Sequence, residues 1–403
     1  MKKVSLSLLS CVFIITVTGC GGGPNPIIIE TKDEGGIINP NNNSDARTLN
    51  MDLYEQLVAA TVKIKVGDDG WGSGFFIGDE GYIVTNNHVV VGAGELRVDI
   101  KGEDRLINAK SIAYAECADL AVIKLTSSTK LPPSPLNKNS LTWHDYRVAP
   151  AMTIASAGFP STVQTSAGEP VFTYTEGSVQ TEPRQVDTKW ASTEAFNHGA
   201  LVANGNSGGP LVEVATGEVV GVNYSRNDKT HRQLAISGVM AKSYVERMVK
   251  GENIHSIGIS PKVSLYNDRA MGVLVEAVVP GKHADKIGIK AGDHIYALGG
   301  EYLWQQNDMD SKYIDRISTL DKYCSILRSQ EPNNPKSIND EGTVIAITIY
   351  RHTEDGDVLC SGQINGDPLT LKNDSSTICP DAQKFEYKSN RNFSLQTMED
   401  IGI

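Results

Sequence analysis

Short runs rich in β-branched residues, separated by glycine-containing segments, fill the middle of the chain and most constrain its fold. They lie at residues 61–66, 74–77, 82–85, 95–100, 120–125, 171–174, 218–222 and 234–239. Because no helical segments alternate with them, this spacing favours an all-β sandwich or barrel over a parallel α/β sheet. Residues 241–250 place Tyr244, Val245 and Met248 at helical spacing, which predicts one helix at the end of this domain.

The chain is long and acidic. Its 403 residues leave room for two or three domains. It has 37 Lys and Arg against 48 Asp and Glu, so the formal net charge is −11. Since nucleic-acid binding draws on positive charge, this balance argues against a nucleic-acid partner.

The first twenty residues are typical of an export signal. Lys2 and Lys3 precede an apolar run at residues 4–17, which is shorter than the roughly 20 residues that span a bilayer. The run ends in small residues before Cys20 and resembles the lipobox of a bacterial lipoprotein, which implies lipidation of Cys20 and a membrane anchor. Gly21 then favours the outer membrane, by resemblance to the sorting pattern of such lipoproteins. The alternative is a plain secretory signal with an incidental cysteine.

Residues 21–50 are predicted to be a flexible tether. They contain five Gly, three Pro and six Asn, a composition that does not form a regular packed element. The folded part is expected to begin at about residue 51, with Asp52 as the cap of a short helix. Leu53, Leu57 and Val58 would form the apolar side of that helix.

Three short motifs in the β-rich region carry side chains suited to acyl transfer. Residues 205–210 (GNSGGP) set Ser207 among glycines that permit a tight turn with main-chain N–H groups beside the hydroxyl. His88 follows one predicted strand, and Asp119 begins another. A serine attacks, an imidazole removes its proton and a carboxylate orients the imidazole. The alternatives without catalysis are that residues 205–210 form only a Gly-rich turn, that His88 is structural and that Asp119 is a turn or capping residue.

The same blocks resemble the trypsin-like serine proteases of the HtrA family. The resemblance spans residues 51–250 and rests on residues 70–90, 119–125 and 205–225. It implies a mainly β, chymotrypsin-like fold of two six-stranded barrels with the active site in the cleft between them. His88 would be the general base, Asp119 its orienting partner and Ser207 the nucleophile, with the N–H groups of Gly205 and Ser207 as oxyanion hole.

Two further details follow from this resemblance. Asn206 stands where secreted digestive relatives carry Asp, which argues against activation by propeptide cleavage. Leu201 and Val202 would form the floor of the primary substrate pocket and favour an aliphatic residue there. The alternative is that Leu201 and Val202 are strand core residues.

Residues 253–352 are expected to form an α+β domain. Residues 256–259, 272–281 and 291–300 resemble a PDZ domain in its bacterial, permuted form. The resemblance implies that Ile257, Gly258 and Ile259 bind a peptide C-terminal carboxylate through their N–H groups, while the next strand pairs with the peptide. A helix carrying Ile317, Leu320, Cys324 and Leu327 would supply the other groove wall. The alternative is a β-rich domain that only packs on the protease.

Residues 353–403 are interpreted as an irregular polar extension. Four cysteines, at positions 117, 324, 360 and 379, remain after the signal and Cys20 are set aside, and they allow three pairings. A Cys360–Cys379 bond would close the shortest loop, and Cys117 is expected to be a buried thiol. The sequence has neither paired Cys-x-x-Cys spacing nor a phosphate-cradling glycine loop, so no metal and no cofactor is predicted.

These features together predict a lipid-anchored serine endopeptidase of the cell envelope, at the outer membrane facing the periplasm. It would cleave unfolded or damaged envelope proteins, and its PDZ-like domain would capture peptide C-termini. By resemblance, the active assembly would be a homotrimer. Two alternatives stay open: a peptide-binding sensor with a silent protease fold, and a narrowly specific processing protease.

Overall fold

The computed structural model of the chain describes residues 43–67, 70–126, 140–226, 233–266, 269–303, 318–329, 345–353, 356–364, 370–371 and 374–380. Thr48–Ile403 form one compact unit. The predicted signal, Cys20 and residues 21–42 of the predicted tether lie outside the described residues. No helix within these ranges combines the length and apolar character needed to cross a membrane.

The first helix begins earlier than predicted. Helix α1 runs Asn43–Ala60, so the last eight residues assigned to a flexible tether are helical and Asp52 lies inside the helix. Leu53, Leu57 and Val58 are buried, as their spacing predicted. Their burial explains the correction, because packing of an apolar face stabilises a helix that local composition does not favour.

The first sheet is a closed barrel of six antiparallel strands, in the order β1-β2-β3-β6-β5-β4. A short helix, α2 (Asn87–Val90), follows β3, and a 3₁₀ turn (Glu116–Ala118) separates β5 from β6. The strands are β1 Thr61–Val66, β2 Gly70–Ile77, β3 Tyr82–Asn86, β4 Leu96–Asp99, β5 Ile107–Ala115 and β6 Leu120–Leu125.

The second sheet has seven strands, in the order β8-β7-β11-β12-β13-β10-β9. An antiparallel bridge between Val179, just after β8, and His198 of β10 joins two distant strands of this order. Six strands therefore close on one another, and β9 is an added partner of β10. The strands are β7 Thr153–Gly158, β8 Thr173–Ser178, β9 Arg184–Asp187, β10 Ser192–His198, β11 Pro210–Glu213, β12 Val219–Arg226 and β13 Gln233–Ser237.

The mainly β fold with two barrels is thus confirmed. The predicted closing helix is α3, Gly238–Met248, whose Ala241, Val245 and Met248 are buried in the core that both sheets share. Each predicted catalytic motif adjoins a strand end: His88 follows β3, Asp119 precedes β6 and Ser207 precedes β11.

The third sheet follows the barrels, in the order β14-β15-β16-β18-β19-β20-β21, with β17 paired to β16. Its core includes Leu320, Cys324 and Leu327 from helix α5, while Ile317 lies outside the described residues. The elements are β14 Ile259–Tyr266, β15 Arg269–Val278, α4 His283–Lys286, β16 His294–Leu298, β17 Glu301–Tyr302, α5 Ser318–Arg328, β18 Ile345–Thr353, β19 Gly356–Ile364, β20 Thr370–Leu371 and β21 Asp374–Ile378.

The interpretation of residues 353–403 as irregular is wrong for their first part. Strand β19 pairs with β18 along its whole length, and β20 and β21 continue the same sheet. A strand with one covered face needs few apolar residues. The polar composition of this segment therefore did not indicate its strands. The Cys360–Cys379 disulfide predicted for this segment is present.

The expectation that Cys117 is a free thiol is also wrong. Cys117, in the 3₁₀ turn of the first barrel, forms a disulfide with Cys324 of α5. The two residues are 207 positions apart, and only the packing of the third sheet beside the barrel brings them together. Sequence spacing carries no signal for such a contact.

Candidate active site

The turn that carries Ser207 is held by contacts that only glycine permits. Gly205 and Gly208 have φ values of +98° and +85°. A Cβ atom on Gly208 would lie 2.3 Å from both Ser73 O and Thr85 Oγ1. The turn therefore packs against β2 and β3 of the first barrel, and β3 leads directly to His88.

Main-chain N–H groups alternate between bonded and unbonded along this turn. Those of Asn206, Gly208 and Gly209 donate to Ala203 O, Asn223 O and Asn206 O, at 2.8–3.0 Å. Those of Gly205 and Ser207 have no hydrogen-bond acceptor among the residues that the structure describes. Two uncommitted donors on either side of Asn206 are the arrangement that an oxyanion hole requires.

His88 and Asp119 form a close pair. His88 Nδ1 and Asp119 Oδ2 are 2.6 Å apart, and the main-chain N–H of His88 donates to Asp119 Oδ1 at 2.8 Å. Asp119 ends the 3₁₀ turn with φ of +52° and is 1% exposed. Burial raises the pKa of the Asp119 carboxyl, and the contacts with His88 oppose that effect. The pair can orient the imidazole in the way general-base catalysis needs.

Hydrogen bonds on the neighbouring strands bring Ser207 toward this pair. Ser73 N–H donates to Ser207 O at 2.9 Å, and Thr85 Oγ1 donates to Ser73 O at 2.8 Å. The Ser207 hydroxyl itself donates to Tyr224 O at 3.0 Å. It must leave that carbonyl before it can donate to the imidazole of His88. Catalytic hydrogen bonds often form only when substrate is bound.

Trp190 is a residue at the site that the sequence motifs did not indicate. It lies between β9 and β10, and its ring stacks on the imidazole of His88. Its main-chain N–H donates to Tyr224 Oη at 3.0 Å, and its indole N–H donates to Glu276 Oε2 at 2.8 Å. No local sequence signal could have found it, because the segment that holds it carries no catalytic motif.

The two residues predicted to form the pocket floor lie in different environments. Both belong to the loop that precedes the Ser207 turn. Leu201 is 68% exposed, whereas Val202 is 6% exposed. Val202 therefore also fits the alternative role of a core residue, and a substrate-binding role for either side chain stays a prediction.

The N–H groups of Ile257, Gly258 and Ile259 do converge on a carboxylate, but it belongs to Glu116 of the same chain. Sequence reasoning missed Glu116, which lies three residues before Asp119. The predicted peptide-binding loop is therefore already occupied in this structure. Binding of a peptide carboxylate there stays a prediction.

His198 is buried in the second sheet next to Phe196. Burial lowers the pKa of His198 to about 3. The residue is neutral at physiological pH and is distinct from the His88–Asp119 pair.

Comparisons with known proteins agree with the geometry. Residues 72–222, which include His88, Asp119 and Ser207, match the trypsin-like peptidase domain family. Serine protease HTRA1 of Xenopus tropicalis is 28% identical over 271 residues, covering 62% of this chain and 56% of that protein. Two bacterial relatives bear the name "Probable periplasmic serine endoprotease DegP-like".

The first, from Marinomonas sp., is 26% identical over 292 residues, with 66% of this chain and 58% of the relative covered. The second, from Chlamydia trachomatis, is 27% identical over 301 residues, with 71% and 55% covered. The chain thus spans less than two thirds of the length of these curated relatives. The segment that matches the trypsin-like peptidase domain family runs from β2 to β12 and thus includes strands of both barrels.

Proposed function

We propose that the chain is a serine endopeptidase that uses His88, Asp119 and Ser207 through an acyl-enzyme intermediate. The observation that carries the proposal is the His88–Asp119 pair beside the rigid Ser207 turn, at 2.6 Å between Nδ1 and Oδ2. The match of residues 72–222 to trypsin-like peptidase domains supports it.

In the proposed reaction, Ser207 Oγ attacks the scissile carbonyl carbon as His88 Nε2 takes the hydroxyl proton. Asp119 keeps the proton on Nδ1 and stabilises the imidazolium that forms. The N–H groups of Gly205 and Ser207 receive the negative charge on the carbonyl oxygen. The imidazolium then protonates the leaving amine, and water hydrolyses the acyl-enzyme by the same steps.

We propose unfolded or damaged cell-envelope proteins as substrates. The export signal predicted at residues 1–20 and the periplasmic, DegP-like names of two relatives support this setting. Anchoring through lipid on Cys20, placement at the outer membrane and assembly as a homotrimer belong to the same proposal. Replacing Cys20 with Ser should move the protein from the membrane fraction to the soluble fraction, and unchanged fractionation contradicts the anchor.

We further propose that a PDZ-like domain at residues 253–352 captures peptide C-termini, which requires that its carboxylate-binding N–H groups become free. The N–H groups assigned to this role already bind the Glu116 carboxylate. A peptide carboxylate therefore binds there only after Glu116 has left.

The central experiment is hydrolysis of unfolded casein by the purified full chain. Wild type should cleave casein, and Ser207→Ala should lose that activity. Ser166→Ala is a matched control, because Ser166 is an exposed serine that lies in a loop of the second barrel. Equal activity of wild type and Ser207→Ala overturns the proposal.

One observation favours a second candidate, a peptide-binding protein with a silent protease fold. The Ser207 hydroxyl donates to Tyr224 O and not to the imidazole of His88. A serine held in this way keeps its proton and does not attack a peptide bond. A folded wild-type chain that neither cleaves casein nor reacts with a serine-directed probe would favour this second function.

A further inference from the structure

The carboxylate of Glu116 is enclosed by the start of the third sheet. Its Oε2 accepts hydrogen bonds from the N–H groups of Ile257, Gly258 and Ile259, at 3.2, 3.1 and 3.0 Å. The hydroxyl of Ser256 donates to the same oxygen at 3.0 Å. Glu116 is 0% exposed. We call residues 256–259 the cradle.

The shape of the cradle depends on Gly258, whose φ is +92°. A Cβ atom at this position would lie 2.5 Å from Lys282 Cβ. A chain reversal of this kind lets successive N–H groups point at one anion. The cradle is therefore a built carboxylate site, and its occupant comes from the first barrel.

Helix α5 completes the enclosure. Tyr323 Oη donates to the second oxygen of Glu116, and Cys324 forms the disulfide with Cys117. The 3₁₀ turn is thus bound to α5 at two consecutive positions, Glu116 by a hydrogen bond from Tyr323 and Cys117 by a disulfide with Cys324. The full burial of a carboxylate is offset here by donors on both of its oxygens.

The fastened turn ends at the catalytic acid. Asp119 N–H donates to Glu116 O at 3.0 Å, so Glu116 and Asp119 are the first and last residues of one turn. On the other side of the pair, Asn87, which precedes His88, donates from Nδ2 to Ile259 O at 3.2 Å. The cradle segment therefore contacts the neighbours of both His88 and Asp119.

We infer that Glu116 is the internal carboxylate ligand of the cradle and, with the Cys117–Cys324 bond, a positioning residue for Asp119. The inference rests on the proposed function of Asp119 as the acid that orients His88. The third domain then holds the turn so that Asp119 meets the imidazole, and loosening the turn weakens proton transfer without removing any catalytic group. The cradle is closed to other carboxylates in this state.

The test uses the full chain and two readouts. The first is kcat and KM on a fluorogenic peptide taken from casein cleavage products. The second is the low-field proton resonance of the His88–Asp119 hydrogen bond, assigned by its loss in Asp119→Asn. The variants are Glu116→Ala, Glu116→Gln and Cys117→Ser/Cys324→Ser. Cys360→Ser/Cys379→Ser is the matched control, because it removes a disulfide of the same domain that lies away from the turn.

Glu116→Ala and Cys117→Ser/Cys324→Ser should each lower kcat at least tenfold, change KM less than twofold and weaken the low-field resonance. Glu116→Gln, which keeps an acceptor for the cradle, should stay within about threefold of wild type. The control should keep wild-type kcat and resonance. If Glu116→Ala does not fold, the Cys117→Ser/Cys324→Ser variant, which retains Glu116, decides.

Wild-type kcat and resonance in these variants overturn the inference. An equal fall in the control also overturns it, because the effect would then be general destabilisation. The two proposals can fail separately. If the wild-type chain has no peptidase activity but Glu116→Ala still loses the resonance that the wild type shows, the positioning role is upheld and the proposed enzyme function fails.

Discussion

The imidazole of His88 lies flat against the indole of Trp190, with ring centroids 4.3 Å apart and ring planes 9° from parallel. The indole N–H donates to Glu276 of β15, and Glu276 also pairs with Lys262 at 2.6 Å. The stack covers one face of the imidazole and limits its rotation away from Asp119. The third sheet therefore contacts the proposed general base through Trp190 and its neighbours through the cradle.

Replacing Trp190 with Leu should lower kcat/KM about two- to tenfold, because aromatic stacking contributes about 0.5–1.5 kcal/mol. Trp190→Phe, which keeps a flat ring, should retain most of the activity. Steady-state kinetics on a casein-derived peptide measures both. Equal activity of the Leu variant and wild type shows that the stack does not position His88.

The glycine at 208 gives a sharp test of the Ser207 turn. Gly208→Ala should destabilise the fold by at least about 2 kcal/mol more than Gly78→Ala, because only the former overpacks its surroundings. Gly78 also has a positive φ, +59°, but its added Cβ would meet nothing within 4 Å. Both variants share the backbone strain, so the difference in denaturant midpoints isolates the clash. Equal midpoints contradict the described packing.

A buried ion pair within the third sheet joins Arg351 of β18 to Asp293, the residue before β16, and Arg351 also bonds the segment that follows β21. Arg351 Nε and Nη2 donate to the two oxygens of Asp293 at 2.8 and 2.7 Å, and Nη1 donates to Pro380 O at 2.9 Å. Arg351→Met should cost about 3–5 kcal/mol, because it leaves a buried carboxylate unpaired. Lys322→Met, which removes an exposed pair with Glu301, should cost less than about 1 kcal/mol.

Chemical denaturation of both variants measures this difference. A similar small loss in the two shows that the late strands are not held by Arg351. The comparison also reports on β21, because Pro380 lies two residues after Ile378, the last residue of that strand.

The pH dependence of stability should carry a contribution from Glu116. Burial raises the pKa of the Glu116 carboxyl to about 7 from the ordinary 4.5, and hydrogen bonds from Tyr323 and the cradle oppose the shift. The folded chain then binds the proton more tightly than the unfolded chain. The contribution is therefore full below about pH 4.5 and is lost as the pH rises to about 7.

Glu116→Gln has no such titration and is the matched control for this effect. The groups that face Glu116 are Tyr323, Ser256 and the cradle N–H groups, and the pKa of Tyr323 is raised well above 10 by burial. These groups do not change charge between pH 5 and 8. Denaturant midpoints of wild type relative to Glu116→Gln should fall from pH 5 to pH 8, and a constant difference contradicts the raised pKa.

The β-branched runs predicted an all-β sandwich or barrel, because such runs are typical of strands with a buried face. The division into two barrels was predicted only by the resemblance to trypsin-like serine proteases. It also predicted the pairing of His88 with Asp119, since the resemblance covers complete motifs. Strands β19, β20 and β21 were not predicted, because the polar residues on the open face of their sheet give no hydrophobic pattern that indicates a strand. Residues 43–50 were missed because their helicity depends on the packed face that follows them.

Long-range contacts with the third sheet and its helix α5 account for the other misses. Glu116, Cys117 and Trp190 have their partners there, namely the cradle, Cys324 and Glu276. Nothing local marks such residues, because their role is created by a partner more than 80 positions away along the chain. The hydrogen bond from the Ser207 hydroxyl to Tyr224 O depends on the side-chain rotamer of Ser207, which the sequence likewise does not predict.

The most direct measurement of the central claim is the reaction of the folded full chain with a fluorophosphonate probe, followed by mass spectrometry of the labelled peptide. We predict a single adduct on Ser207, formed in wild type and in Ser166→Ala, and absent in Ser207→Ala. Absence of an adduct on Ser207 in the folded wild-type chain between pH 6 and 9 contradicts the claim that its hydroxyl is an activated nucleophile.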